Sequence, residues 1–489
     1  MNCVDYLFEH TSSLKKNLIF GSQENISYQE IYESSSQVAR YLHKRIGQGN
    51  CIMLISQNSS FFIIAYLGIL KSGNICIPLN PSIEQNNFSY IQNKTKCSLG
   101  FFSKLVLKKL SVPIEIISED NLSIILKDNE TEHFELKVDF NENQIAEILF
   151  TSGSTAKPKG VMLTHKNIIT NTNSIIQYLN LSENDIMLVV LPFFYCYGLS
   201  LLHTHIRAGG QLVLNNNFIL LASTIGNIKK YNCTGFAGVP SHFQILLRKN
   251  NLFRSTKFPS LRYVTQAGGK LPNTFIKEFI DSFPSISFIV MYGQTEATAR
   301  LSYLPPEKLS EKMGSLGKGI PGVQLRVVNS KGDNVLPGEI GEIIAQGENV
   351  MLGYFGDKNE TSVALRDGWL YTGDLAKIDE EGYIYLTSRK KEIIKVGGKR
   401  VSPKEIEEVI DMIPGVIDCT IEAVDDVIMN QAIKATIITS DRADGLNEEF
   451  VKQFCAERLS RYKIPSIINF EKELKLSATG KKTKSDHFI

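Results

Sequence analysis

The chain has 489 residues, 43% of them hydrophobic, enough to bury a large core and to form two or three domains. Its 53 lysines and arginines nearly balance 51 aspartates and glutamates, so no net positive field recommends nucleic acid or an acidic membrane as partner, and a small-molecule enzyme fits better. The eight cysteines never fall in a CxxC pair or another close metal-ligand spacing, which argues against a cysteine metal centre and for reduced thiols in a cytoplasm.

The start, MNCVDYLFEHTSSLKKN, lacks a basic segment followed by a long apolar run and does not read as a secretory signal. Ser27 with Glu30 three residues on predicts a capping box, opening a helix with Ile31, Ala39 and Leu42 on its apolar face. A strand at Cys51 to Ile55 follows. The longest apolar stretch, Phe61 to Leu70, is too short to span a bilayer and predicts a buried helix. Strand and helix alternate again at Ala146 to Phe150 and Ile168 to Leu179, then at Met187 to Leu191 and Leu199 to Ile206. That alternation favours an α/β fold with substantial parallel sheet.

After about Leu316 the texture changes to short β-like runs: Val323 to Val328, Gly341 to Ala345, Leu375 to Ile378 and Tyr383 to Leu386, with residues 379 to 382 (DEEG) as the hairpin turn between the last two. Ser402, Pro403 and Glu405 predict a helix start with a second capping box. Its apolar face is Ile406, Val409, Ile410 and Ile413, and Pro414-Gly415 stops it. Strands at Val416 to Val424 and Ala432 to Thr439, a helix at Asn447 to Leu459 and a strand at Ile467 to Phe470 complete an α+β unit. A domain boundary near Lys391 follows.

Five segments carry chemistry. TSGSTAKPKG, residues 151 to 160, holds four hydroxyls, two glycines and two lysines, which can wrap phosphate oxygens with hydroxyls, backbone N–H groups and positive charge. A solvated turn is the bland alternative, and the spacing is not that of a Walker loop. MYGQTEAT, residues 291 to 298, offers an aromatic for a purine, a glycine, a hydroxyl and a carboxylate that together suit a Mg-nucleotide; otherwise Glu296 is a solvated strand end. YTGD, residues 371 to 374, gives an aspartate suited to a ribose diol, with Arg389 after the hairpin to assist. KKEIIKVGGKRVSPKEIE, residues 390 to 407, contains Gly397-Gly398, and LSATGKK, residues 476 to 482, contains Lys481. By themselves these two are a hairpin turn and a surface charge.

Taken in this order, the segments resemble the signatures of the adenylate-forming (AMP-binding) enzymes, particularly the acyl-CoA synthetase branch. The resemblance spans essentially the whole chain. It implies a large N-terminal α/β domain with parallel sheets and a β-rich subdomain, residues 1 to 390, and a small mobile α+β C-terminal domain, residues 391 to 489. It implies that Lys159 and the loop residues Thr151, Ser152, Gly153, Ser154 and Thr155 hold the triphosphate of ATP. Gly268 and Gly269 of QAGGKLP would flank the adenine and Tyr292 would stack on it, beside Gly293. Thr295 would face phosphate, Glu296 Mg²⁺, and Asp374 with Arg389 the ribose. Lys481 matches the catalytic lysine, Lys391 the hinge, and Gly397 and Gly398 line the approach of the thiol. LPFFYCYGLS, residues 191 to 200, resembles an acyl-pocket segment, with Tyr195 where histidine is frequent; Val239, in the apolar run Phe236 to Pro240, is the other pocket residue. Three departures from the family pattern are Ala156 for glycine in the phosphate loop, Ser388 for the glycine before Arg389, and the missing proline before the terminal TGK.

The activity implied is activation of a small carboxylic acid by ATP to an acyl-adenylate, then transfer to a thiol, CoA or protein-bound pantetheine. The alternatives are an amino-acid or acyl-carrier-protein ligase loading a separate carrier protein, a luciferase-like oxygenase, for which no sequence feature speaks, and a catalytically silent nucleotide-binding switch. Retention of Lys159, Glu296, Asp374 and Lys481 argues against the silent switch. A cytoplasmic enzyme without a transmembrane segment is expected.

Overall fold

The fold was analysed in a computed structural model, which describes residues 1–21, 24–127, 134, 136, 140–151, 157–249, 251–396, 399–426, 430–440 and 445–472. Two mixed sheets, of nine and seven strands among the described residues, form the N-terminal body. At the heart of the larger, strands Gln211–Leu214, Ile186–Val189, Gly235–Gly238, Tyr263–Gln266 and Ser287–Tyr292 lie side by side in parallel. In the smaller, Ile75–Pro78, Cys51–Ile55, Leu99–Phe102 and Glu115–Ile117 are parallel, and Ile145–Thr151 pairs antiparallel with Lys159–Thr164. These strands are rich in Ile, Leu and Val and largely buried, as parallel sheets covered on both faces require.

Local chemistry fixes the helices. Ser27 accepts from the Glu30 N–H at 3.2 Å and the Glu30 carboxylate accepts from the Ser27 N–H at 2.8 Å, so the expected capping box opens the helix Tyr28–Ile46. The buried helix Ser60–Lys71 lies against it. Gly68 is what lets the two meet: a Cβ there would sit 2.5 Å from Val38 Cγ1. No helix among the described residues is long and apolar enough to cross a membrane.

A five-stranded antiparallel sheet follows, with Gly341–Gly347 and Trp369–Ile378 at its centre, Val323–Val328 at the edge beside the first and Ile384–Arg389 paired to the second. The turn between 378 and 384 closes with the Asp379 N–H donating to the Tyr383 carbonyl, and Gly382 takes φ +84°. Strands Ile394–Val396, Lys399–Val401, Val416–Asp426, Asn430–Thr439 and Ile467–Glu471 form a last sheet, covered by the helices Pro403–Ile410 and Glu448–Ala456 over a separate core. The second expected capping box does not form. The Ser402 hydroxyl turns away from its helix and donates to the Thr387 carbonyl at 2.7 Å, so a tertiary acceptor rather than the helix's own N–H groups sets its direction.

This C-terminal unit rests on one helix of the N-terminal body, Pro240–Arg248. Gln244 Nε2 donates to buried Asp418 Oδ1 at 2.6 Å, and the Arg248 guanidinium donates to the carbonyls of Asp411 and Val416. Lys270 and Glu408 add an ion pair at 2.9 Å.

Candidate active site

Antiparallel pairing brings the first group together. Asp374 and Arg389 are direct partners in the ladder between Trp369–Ile378 and Ile384–Arg389, so Arg389 Nε reaches Asp374 Oδ1 at 3.1 Å. The other carboxylate oxygen accepts from the Tyr292 hydroxyl at 2.7 Å, at the end of the strand Ser287–Tyr292. Burial pushes the Asp374 carboxyl above its ordinary range, and the Arg389 charge and the Tyr292 hydroxyl pull it part of the way back. Burial and the adjacent Asp374 carboxylate push the Tyr292 phenol well up, so it remains a donor. An acceptor carboxylate beside an aromatic ring and a guanidinium can hold a ribose diol next to a stacked base.

Gly293 lies directly after this tyrosine, and a Cβ on it would meet the Ala299 carbonyl oxygen at 2.0 Å. Its lack of a side chain lets the chain double back through the short 3₁₀ turn Thr295–Ala297, which carries Glu296. Thr295 is buried, its hydroxyl 3.6 Å from Cys196 Sγ. Gly268 takes φ +85°, which favours glycine, and the Gly269 carbonyl accepts from Gln266 Nε2 at 2.8 Å.

Lys159 and Glu296 are joined by a segment that no sequence motif marks. The Tyr354 hydroxyl donates to Glu296 Oε1 at 2.8 Å, and its ring centroid lies 5.4 Å from Lys159 Nζ. Lys159 Nζ also pairs with Glu360 Oε2 at 2.6 Å. Burial and the Glu296 charge push the Tyr354 phenol up, so it too stays a donor. The strand Gly353–Tyr354 reaches this spot by pairing with Lys159–Thr164, which no local pattern announces. Thr151 stands opposite Lys159 in the ladder. Ser152, Gly153, Ser154, Thr155 and Ala156 between them lie outside the described residues, as do Gly397, Gly398 and Lys481.

Among the described residues no cage of three His, Cys, Asp or Glu side chains gathers. Mg²⁺ asks for less, since it is commonly held by one or two carboxylates plus substrate phosphates and water. Glu296, half-buried and engaged among the described residues at Oε1 by Tyr354, fits that role.

Tyr195 immediately precedes the helix Cys196–Ala208, and Val239, buried, precedes Pro240–Arg248. Both lead into helices that follow strands of the large sheet, the side on which open α/β sheets bind ligands. Lys391 is exposed just beyond Arg389, where the Lys390 N–H donates to the Gly373 carbonyl at 2.9 Å and Lys390 Nζ pairs with Glu342 at 3.2 Å.

A family model described as AMP-binding enzyme matches residues 9–355, and one described as AMP-binding enzyme C-terminal domain matches residues 405–481. The chain is 30% identical over 510 residues to 4-coumarate–CoA ligase 3 of Arabidopsis thaliana, covering 98% of this chain and 90% of that one. It is 27% identical over 496 residues to oxalate–CoA ligase of the same plant, covering 97% and 96%. The solved structure of an anthranilate CoA ligase in complex with anthranoyl-AMP matches with a TM-score of 0.91 at 24% identity, covering 99% of this chain and 95% of that one, and shares its fold. Matched over most of its length, the chain belongs to the AMP-binding enzyme family.

Proposed function

We propose that this enzyme activates a carboxylic acid with ATP as its acyl-adenylate, releasing pyrophosphate, and then passes the acyl group to the thiol of CoA, releasing AMP. The observation that carries the reading is the meeting of Tyr292, Asp374 and Arg389 in one hydrogen-bonded group, next to a second group in which Tyr354 links Lys159 to Glu296. The first group suits adenosine and the second a metal-bound polyphosphate. The relatives named as CoA ligases support the same chemistry.

In this reading Asp374 accepts the ribose hydroxyls and Tyr292 stacks on adenine between it and residues 268–269. Lys159 and the hydroxyls of residues 151–155 hold the triphosphate. Glu296 holds Mg²⁺, which when bound neutralises charge on the leaving pyrophosphate. Lys481 stabilises the charge that grows as the carboxylate attacks the α-phosphorus, and such positioning and electrostatic work supplies most of the catalysis in phosphoryl-type transfers. Tyr195 and Val239 border the acyl group. The C-terminal domain, from Lys391 onward, then turns to bring residues 397–398 to the adenylate. Lys395 and Arg400, directly opposite each other in the hairpin and both exposed, favour an acceptor that carries its own phosphates, because two like charges facing across a ladder repel until an anion lies between them.

The test is a screen of carboxylates for ATP–pyrophosphate exchange, with mass spectrometry of products formed from CoA, dephospho-CoA and phosphopantetheine on a carrier protein. Exchange with one class of acid and a thioester preferentially on CoA is the expected result. Exchange with no acid in the presence of tight ATP binding returns the silent switch, and a thioester on the carrier alone replaces CoA as acceptor.

A further inference from the structure

Glu147, in the middle of the strand Ile145–Thr151 that runs toward the phosphate loop, is 1% exposed, and among the described residues no lysine or arginine pairs with it. Its Oε2 accepts from the Tyr66 hydroxyl at 2.9 Å, and that hydroxyl lies 2.8 Å from His203 Nε2, with the two rings stacked at 5.7 Å. A cavity of about 10 Å³ adjoins the group, lined by Glu147, His203, Ser200, Thr172 and Thr298 among others, the size that holds one water among polar partners. Thr298 is two residues beyond Glu296 and takes φ +65°, a conformation that β-branched residues adopt rarely and that is concentrated at functional sites.

The other ionisable groups around it leave the charge uncompensated. Cys76 faces Glu147 across the ladder. Cys3 is buried with its Sγ 3.1 Å from His165 Nδ1, and Cys196 is buried on the helix that carries His203. Burial pushes the Glu147 carboxyl up to about 7, the bond from Tyr66 offsetting part of the rise. Burial also pushes His203 and His165 down to about 3, so both imidazoles stay neutral.

We propose that Glu147, Tyr66 and His203 form a buried proton relay that takes up one proton when a nucleotide polyphosphate fills the neighbouring site, so that ATP binding is coupled to pH. The proposal rests on the reading that the nucleotide lies between Thr151 and Glu296. With Glu147 charged, Tyr66 O–H donates to the carboxylate and His203 Nε2–H donates to the phenol oxygen. A proton from solvent, passed through the cavity, bonds to the other carboxylate oxygen, Oε1; Tyr66 O–H continues to donate to Oε2, no other proton leaves, and the net gain is one. The driving force is the negative field of Mg-bound ATP, about 13 Å along the strand from Glu147 at a rise of about 3.3 Å per residue, acting through an interior that screens poorly. By linkage, a ligand that raises proton affinity is itself bound more tightly when protons are abundant.

Calorimetric titration of ATP with Mg²⁺ into the enzyme, repeated in buffers of different ionisation heat across neutral pH, reads the proton count directly. Wild type is expected to take up a fraction of one proton per ATP, largest near neutrality, with affinity tightening several-fold toward lower pH. Glu147→Gln should lose that uptake and the pH slope. Tyr66→Phe keeps the acid but removes the bond that favours its charged form, so its uptake maximum should move to higher pH, a shift that a merely structural role would not produce. Equal uptake in wild type and Glu147→Gln, an unmoved maximum in Tyr66→Phe, or binding without proton uptake overturns the relay while leaving the proposed activity standing. Absence of any ATP binding sinks both.

Discussion

Between the ordinary carboxyl range, about 4 to 4.5, and about 7, folded Glu147 holds a proton that the unfolded chain has released. The folded state then binds more protons than the unfolded one, so this group's contribution to stability is complete below the ordinary range and is lost as pH rises through about 7. Glu147→Gln should remove a slope of up to about 1.4 kcal/mol per pH unit, seen as wild-type and variant melting temperatures that agree in acid, separate progressively as pH rises from the ordinary carboxyl range to about 7 and keep a constant gap above it. Lys481→Ala should lower adenylate formation at saturating ATP about 100-fold or more and leave ATP affinity unchanged; an effect on affinity alone would give that lysine a binding role. At this scale the sequence was legible where residues meet through a ladder: Arg389 follows Asp374 across a short hairpin, so register alone brings them together. Tyr354, Glu360 and the Glu147 relay were not legible, because each partner arrives from a distant element and nothing in its own neighbourhood marks it.

Elements were legible to within a few residues wherever apolar periodicity and caps agreed. The runs read at Ala146 to Phe150 and Val323 to Val328 are strands at Ile145–Thr151 and Val323–Val328. The helix read from Asn447 is Glu448–Ala456, with Asn447 accepting from the Phe450 N–H at 2.9 Å. Ser402 shows the limit: its helix forms, but its hydroxyl serves Thr387 on the strand Ile384–Arg389, a choice made by tertiary packing. The turn that carries Glu296 depends on close backbone approach at Gly293 as well as on the Asn349 amide, which donates to the Ala297 and Arg300 carbonyls. Gly293→Ala should therefore cost about 1–3 kcal/mol, since the obstructing atom is the Ala299 carbonyl and cannot rotate away. Denaturant melts measure that cost, and a variant as stable as wild type would show that the turn can shift.

For the whole molecule, the separate C-terminal core was readable as a change of texture beyond Arg389, whereas the surface on which it rests was not, since Gln244 and Asp418 lie 174 residues apart. Lys391→Pro, which fixes φ at the proposed hinge, should keep pyrophosphate exchange and lose most thioester synthesis; a folded variant making thioester from preformed adenylate at the wild-type rate would rule out rotation there. The helix Pro240–Arg248 gives this arrangement a mechanical consequence. It is a rod of nine residues, about 13 Å long, with Val239 at its head and the contacts to Asp411, Val416 and Asp418 along the rest of its length. Packed interiors transmit strain, so in the proposed reading, with Val239 bordering the acyl group and the C-terminal unit turning after adenylation, a bulky acid that displaces Val239 pushes on a lever whose far end bears that unit. On that reading the size of the acid sets the timing of the unit's release as well as the fit of the pocket.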